Sequence, residues 1–318
     1  MREMRAVVVR AFGGPEALET VRTALPEPGP GQLRVRVEAA TVNPVDLAVR
    51  GGGMVEAGMA LPREQYGVGW DVAGTVDALG AGVTGFAAGD RVIGLIDRLD
   101  LALGGYAEYA VLEAAEAAPA PRDASPAEAA TLPLNGLTAW QGLDLLALTV
   151  GQTVLVSGAA GGVGGFAVEL AAARGLRVVA VAGERPDDAD AELVRGFGAE
   201  VVVPRGTDLA AAVRAAVPGG VDGVLDAAGV GVAGLEALRG GGAFVSTVPG
   251  TLPIARRGTR VEYVWIRADG RQLAALSALA DQGRLTPRVA GTYPLERAGE
   301  AHQRLAAGGV RGRLVLRP

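Results

Sequence analysis

Along the second half of the chain the apolar residues fall in short blocks rather than in long helical stripes. Blocks rich in Val, Leu and Ala lie at 153–157, 177–182, 200–203, 222–226, 242–248 and 261–266, with helix-compatible stretches between them. Successive starts are roughly 20 residues apart, the length of a strand plus a crossover helix, because a parallel neighbour cannot be reached through a tight turn. The pattern predicts a doubly wound α/β domain. The first half reads differently. Strands are expected at 6–10 and 33–38, and "LPEPGPGQ" at 25–32 is a rigid turn, as proline removes donors and glycine admits unusual backbone angles. Glycines at 51–53 and 80–82 punctuate in the same way, so this half is expected to be an irregular β domain. The tail, 269–318, carries helical pieces at 270–282 and 295–306 and strands at 287–289 and 312–316. It is too short to stand alone, so it is expected to rejoin the first half. The predicted division is 1–121 with 267–318, and 122–266 inserted between them.

Composition narrows the chemistry. A chain of 318 residues, 49% hydrophobic, can bury two cores, and its net charge of −5 gives no electrostatic footprint for nucleic acid. There is no cysteine, every one of the 30 cationic side chains is arginine, and the only histidine is His302. Disulfides, thiolate nucleophiles, Schiff-base lysines, Ser/His triads and His-ligated metals each need residues that are missing or present once. No metal site is expected. His302, with Leu305 three residues on, is expected at the surface or partly packed on the tail helix. The opening residues carry arginines inside too short an apolar run for a signal peptide, and the uncharged window 145–168 is broken by glycines as a strand, turn and helix would be. A cytoplasmic protein without a membrane partner is the expectation.

The stretch "VLVSGAAGGVG" at 154–164 carries the most specific chemistry. It follows the first strand of the wound array and precedes a helix expected to begin near Gly162, and Ala159-x-Gly161-x-x-Gly164 has the spacing of a dinucleotide fingerprint. A small first residue allows the tight turn, Gly161 lets a pyrophosphate approach the backbone, and Gly164 lets the helix pack on the strand. The helix N-terminus then offers N–H groups and a partial positive charge to the phosphates. The second strand ends "VVAVAGER", with Ala182 where an NAD-binding domain places an acid, followed by Gly183, Glu184 and Arg185. A small residue and then an arginine leave room and charge for a 2′-phosphate, which favours NADPH; Glu184 is the feature that would instead hold a 2′-hydroxyl.

Several segments together resemble the medium-chain dehydrogenase/reductase superfamily, in its zinc-independent quinone oxidoreductase-like branch. They are "FGGPEAL", "PEPGPGQLRVRVEAATVNPVD", "GWDVAGTVDALGAGVTGFAAGDRV" at 69–92, "GGYAEY" at 104–109, "LPLNGLTAW" at 132–140, "GAAGGVG" and "GGVRGRLVL". The resemblance implies a Rossmann domain inserted in a GroES-like catalytic domain. Zinc-dependent relatives hold their metal with a cysteine near the position of Asn43 and a histidine in a motif matching "GWD". Here Asn43, Trp70 and Asp71 stand there, so the ligands for a zinc alcohol dehydrogenase are missing. What the resemblance implies instead is hydride delivery from a nicotinamide to a quinone or an α,β-unsaturated carbonyl. It places Asn43 and Thr138 beside the nicotinamide and ribose, and Gly158, Ala160, Gly161, Gly162 and Val163 on the pyrophosphate. Gly183 and Arg185 fall at the adenosine ribose, and Ala228, Gly229, Val248, Pro249 and Trp265 on the nicotinamide side.

Where a reduced carbonyl needs a proton, Tyr66, just ahead of "GWD", is the phenol at hand; Asp46 serves either to cap the helix after Pro44 or to touch substrate. Tyr106 and Tyr109 are expected to be structural. Two other functions stay open. An enoyl-thioester reductase would want a basic entrance such as Arg256, Arg257 and Arg260, and a non-catalytic NADPH-binding protein would account for the scarcity of acid–base residues. Relatives of this kind are commonly homodimers through the edge of the nucleotide-domain sheet, for which the apolar run at 242–248 is the candidate.

Overall fold

The computed structural model describes residues 2–185 and 188–318, and they form two compact units. The first comprises Met1–Leu134, Arg267–Gly283 and Pro287–Pro318, the second Asn135–Ile266 with Arg284–Thr286. The tail therefore does rejoin the N-terminal half, and the first segment continues past 121 to Leu134.

The first unit is built on β-strands. Strands β1 (Glu3–Val9), β2 (Leu18–Ala24) and β4 (Tyr66–Gly67) make one small sheet, ordered β2-β1-β4. A larger sheet contains β3 (Gln32–Val42), β5 (Asp71–Leu79), β6 (Arg91–Leu95), β7 (Tyr109–Glu113) and β8 (Ala117–Pro119). Two strands of the tail, given below, complete it. Along β3, Leu33, Val35 and Val37 alternate inward, the period-two pattern of a half-buried strand.

The second unit is a six-stranded parallel sheet. Strands β9 (Thr153–Val156), β10 (Arg177–Val181), β11 (Val201–Val203), β12 (Val221–Asp226), β13 (Leu238–Ser246) and β14 (Arg260–Tyr263) lie in the order β11-β10-β9-β12-β13-β14. This is the Rossmann order, in which the winding reverses on either side of the first strand, β9. Strands β9, β10 and β11 are near-continuous apolar runs, the pattern of a parallel sheet covered by helices on both faces. Leu155, Val179, Val224 and Phe244 meet Val213 and Leu235 in its core. The block at 242–248 belongs to β13, which is flanked by β12 and β14; the edges of this sheet are β11 and β14. The run at 242–248, expected at a sheet edge, is therefore corrected to an internal strand. In the tail, β15 (Val289–Pro294) pairs with β16 (Arg313–Arg317), and β16 runs antiparallel to β3, stitching the chain's end onto the first unit. Among the described residues no helix is long and apolar enough to cross a membrane.

Candidate functional site

In the Rossmann unit the candidate residues gather where the parallel strands end. The chain leaves β9 at Ser157 and turns at Gly158, whose φ of +59° is a left-handed value that glycine adopts without a Cβ penalty. The Gly161 N–H closes the turn on the Gly158 carbonyl at 2.9 Å, and the helix Gly162–Ala173 begins at once, with no side chain capping its first turn and no acid in it. A Cβ on Gly164 would stand 2.2 Å from the Gly158 oxygen, so only glycine allows the helix to pack this closely on the turn. A turn of small residues leading into a helix N-terminus, beside the central strand where the winding reverses, fits the pyrophosphate of the implied dinucleotide.

The neighbouring strand ends are braced by residues that the sequence did not single out. Asp226, fully buried at the end of β12, accepts the Ser157 hydroxyl at 2.6 Å and the N–H groups of Ala228, Val230 and Gly231 at 2.9 to 3.2 Å. Ser157 Oγ accepts from Ala227 and Ala228, and Ser246 at the end of β13 accepts the Val248 N–H at 3.0 Å. Both segments expected on the nicotinamide side, Ala228–Gly229 and Val248–Pro249, are therefore held by bonds to side chains at the strand ends; Trp265 follows β14, and Thr138 is buried on the helix Pro133–Leu146. The signal that could have revealed Asp226 is its place as the polar residue closing an apolar strand.

At the end of β10, Ala182 is buried and Gly183 has a φ of +69°. Asp188 caps the next helix; the Ala191 N–H foremost, with those of Glu184, Arg185 and Asp190, lowers its carboxyl to about 2. Arg205, beyond β11, was not foreseen. Its N–H and its Nε both donate to the Gly183 carbonyl, at 2.8 and 3.2 Å, and its Nη2 lies 4.0 Å from Glu184. Arg205 and Arg185 thus flank the same strand end. Of the three arginines considered for a basic entrance, Arg257 is committed to Glu236 and the Leu235 carbonyl, and Arg260 to Glu262 and the carbonyls of Leu145 and Leu146.

The other candidates lie in the β-rich unit. Asn43 is fully buried at the N-cap of the helix Pro44–Arg50; its side-chain amide donates to Asp71 at 2.6 Å and to the Thr41 hydroxyl at 3.1 Å. Asp71 also accepts the Leu134 N–H at 2.6 Å and the Thr41 hydroxyl. Asp46 is fully buried as well, and accepts the N–H groups of Asn43 and Gly69, each at 2.8 Å, and the Tyr106 hydroxyl at 3.2 Å. Burial, and then Asp71, raise the Asp46 carboxyl to about 7 against the pull of those donors. Burial likewise raises Asp71, and it lowers the Arg313 guanidinium to about 10, which leaves a cation whose charge opposes the rise at Asp71. Tyr66 sits on β4 with its hydroxyl accepting the Arg63 N–H at 2.8 Å and donating to the Leu61 carbonyl at 3.3 Å, within its own loop. Among the described residues no three His, Asp or Glu side chains gather as metal ligands would.

His302 is the clearest departure from expectation: it is fully buried, because Ala298, Ala301 and His302 form the inward face of the helix Ala298–Ala306. Burial, then the Arg50 guanidinium, push its ring down to about 3, so it is neutral near pH 7. An unfolded chain protonates this ring below about 6.5, whereas the folded one resists until about 3. The ring's contribution to stability is therefore whole above the first value and is lost as pH falls toward the second. His302→Gln removes the titration, so its deficit against wild type in urea unfolding should shrink by about 1.4 kcal/mol per pH unit across that window. A deficit independent of pH would contradict the buried neutral ring.

Comparison with known proteins agrees with this architecture. Residues 29–122 match the model for the alcohol dehydrogenase GroES-like domain, and 197–316 that for zinc-binding dehydrogenases. A chloroplast envelope quinone oxidoreductase homolog of Arabidopsis thaliana is 36% identical over 219 residues, covering 66% of this chain and 64% of that protein. The chain thus matches a little under two thirds of that relative's length. Among solved structures, an NAD-dependent alcohol dehydrogenase superimposes with a TM-score of 0.85 at 36% identity, over 99% of this chain and all of that one. A mycobacterial protein complexed with NADPH does so with a TM-score of 0.81 at 31% identity, over the same shares. The chain belongs to the medium-chain dehydrogenase/reductase superfamily, in its quinone oxidoreductase-like branch.

Proposed function

We propose that this protein is an NADPH-dependent, metal-independent reductase that delivers a hydride to a quinone or an α,β-unsaturated carbonyl. The observation that carries the reading is the cradle 158–164 with two arginines, Arg185 and Arg205, flanking the end of the adjacent strand where an NAD-binding domain would place an acid. The nicotinamide supplies the hydride when bound. Gly158, Ala160, Gly161, Gly162 and Val163 would offer backbone to the pyrophosphate, while Arg185 and Arg205 would pair with the 2′-phosphate. Ala228, Gly229, Val248, Pro249, Thr138 and Trp265 shape the nicotinamide side. Asn43, pinned by Asp71 and Thr41, fixes the acceptor side with Tyr66 and with Asp46, whose oxygens already serve the Asn43 turn. A conjugated acceptor suits this chain because it needs no Lewis acid, and the chain has no cysteine and only a buried histidine to offer a zinc ion.

Steady-state oxidation of NADPH with a quinone, a short enone and a saturated aldehyde, before and after exhaustive treatment with a chelator, tests the reading. Turnover of the quinone or the enone, unchanged by chelation, is expected. Turnover of the saturated aldehyde that disappears with the chelator would overturn it.

A further inference from the structure

A single array of hydrogen bonds runs through the interior of the β-rich unit. Four side chains from three separate segments, Arg50 and Asp46 of the helix Pro44–Arg50, Tyr106, and His302 of the tail helix, are joined in the order Arg50, His302, Tyr106, Asp46 by hydrogen bonds of 3.3, 3.2 and 3.2 Å. The chemistry of the first member fixes the direction of the whole chain. A guanidinium has no acceptor, so Arg50 Nη1 donates to His302 Nδ1; the ring then carries its proton on Nε2 and donates to the Tyr106 oxygen. The phenol hydrogen is left for Asp46 Oδ2. The neutral state of the imidazole agrees with this order, since a protonated ring would turn a second donor against Arg50.

The chain ends on a carboxylate that governs two turns. Asp46 Oδ2 also holds the Asn43 N–H, and Oδ1 holds the N–H of Gly69, the residue before Trp70 and Asp71. Gly69 is shaped for its neighbour: at φ +91° it lets the Tyr106 ring lie so close that a Cβ would stand 2.2 Å from Cδ1 of that ring. The Tyr106 N–H in turn donates to the Val68 carbonyl at 3.0 Å, and the ring meets His302 edge-on with centroids 5.8 Å apart. The Asn43 turn and the Gly69-Trp70-Asp71 segment are thus locked from behind by one array.

We propose that Tyr106 and His302 are positioning residues for hydride transfer, acting through Asp46 to hold the Asn43 turn and the Gly69 segment in register. The role in turnover rests on the reductase reading; the mechanical role does not. The charged and titratable groups that face Asp46 are Asp71, Arg313 and Tyr106, with Arg50 behind Tyr106 and His302. Of these, the Tyr106 hydroxyl is the one that lowers the Asp46 carboxyl by direct donation.

The test compares Tyr106→Phe, His302→Leu and His302→Gln with wild type. Glutamine can accept from Arg50 through its carbonyl and donate to Tyr106 through its amide, so it preserves the direction of the chain, whereas leucine ends it. Amide hydrogen exchange of the cofactor-free protein should speed up by about tenfold or more at Asn43 and Gly69 in Tyr106→Phe, where the donor to the Asp46 carboxylate is lost, and by a smaller factor in His302→Leu, where the donor that orients the Tyr106 hydroxyl is lost. It should stay near wild type in His302→Gln and, for all three, in β9, β10 and β12. With NADPH and a quinone, Tyr106→Phe should lose about tenfold in kcat with little change in KM, and the acidic limb of its pH profile should move to higher pH. Wild-type exchange and kcat in a folded Tyr106→Phe would overturn the proposal. Should that variant fail to fold, His302→Leu against His302→Gln decides it, and equal behaviour of those two would overturn it. If the wild type turns over no quinone or enone, the exchange data still decide the mechanical role, while the reductase reading fails separately.

Discussion

Gly164→Ala is expected to abolish tight dinucleotide binding. The added Cβ would lie 2.2 Å from the Gly158 oxygen, 2.7 Å from its carbonyl carbon and 2.8 Å from the Ala159 Cα, and all three are backbone atoms. Nothing there can swing aside, so the helix Gly162–Ala173 must back away from the turn that cradles the phosphates. Overpacking of this kind costs about 1–3 kcal/mol, and misplacing the helix N-terminus removes its N–H groups from the pyrophosphate. Together these predict a rise in Kd for NADPH of roughly a hundredfold, with a lowered Tm. Gly196→Ala is the control: it lies in a helix with nothing within 4 Å of its added Cβ, and should leave both quantities unchanged. Fluorescence titration of the two variants separates a local clash from a general intolerance of side chains in a glycine-rich chain. Equal Kd values for Gly164→Ala and wild type would refute the cradle.

The second large effect concerns the choice between the two dinucleotides. A charge-assisted pair to a phosphate contributes about 1.5–3 kcal/mol, so Arg185→Ala and Arg205→Ala should each reduce the NADPH/NADH ratio of kcat/KM by roughly ten- to a hundredfold. The double variant should lose the preference altogether. Arg205 is the better placed of the two, since its backbone and Nε are already anchored on Gly183 and its head needs little reorganisation. Glu184, 85% exposed and 4.0 Å from Arg205, competes only weakly for that head, as exposed pairs contribute about 0–1 kcal/mol. Glu184→Gln should therefore strengthen the preference slightly. A wild type indifferent to the 2′-phosphate, or an NADH preference that both arginine variants leave intact, would remove this assignment.

The wound sheet was legible because most of its strands contain a short apolar block bounded by glycine or charge. The block expected at 177–182 became Arg177–Val181, and 222–226 became Val221–Asp226. Strand β13 begins earlier than its apolar run, at Leu238, and the three glycines Gly240 to Gly242, which lie in the register shift between the pairs at Leu238 and Ala243, add no hydrophobic signal. Which strand forms an edge is a property of topology, and no local pattern records it. In the β-rich unit, β5 reads "DVAGTVDAL", where glycine and aspartate blur the alternation that would have marked a strand. The buried cluster was hidden for a different reason. Asp46, Asp71, Tyr106 and His302 are polar and far apart in the chain, and burial of such residues becomes readable only when their partners are placed. For His302 there was a signal: Ala298, Ala301 and His302 share one face of the helix Ala298–Ala306, so the imidazole points where the alanines point. Arg205 carries no local signal, because only the pairing of β10 with β11 sets it beside Gly183.

In the proposed reaction hydride passes directly from bound NADPH to a conjugated acceptor, without metal. Turnover of an enone with NADPH deuterated at the transferable position of the nicotinamide ring, followed by mass spectrometry and NMR of the product, shows whether it does. One deuterium per product molecule is expected, at the carbon β to the carbonyl, with the second new hydrogen taken from solvent. Product formed without deuterium at that carbon, or no product while NADPH remains tightly bound, would contradict it.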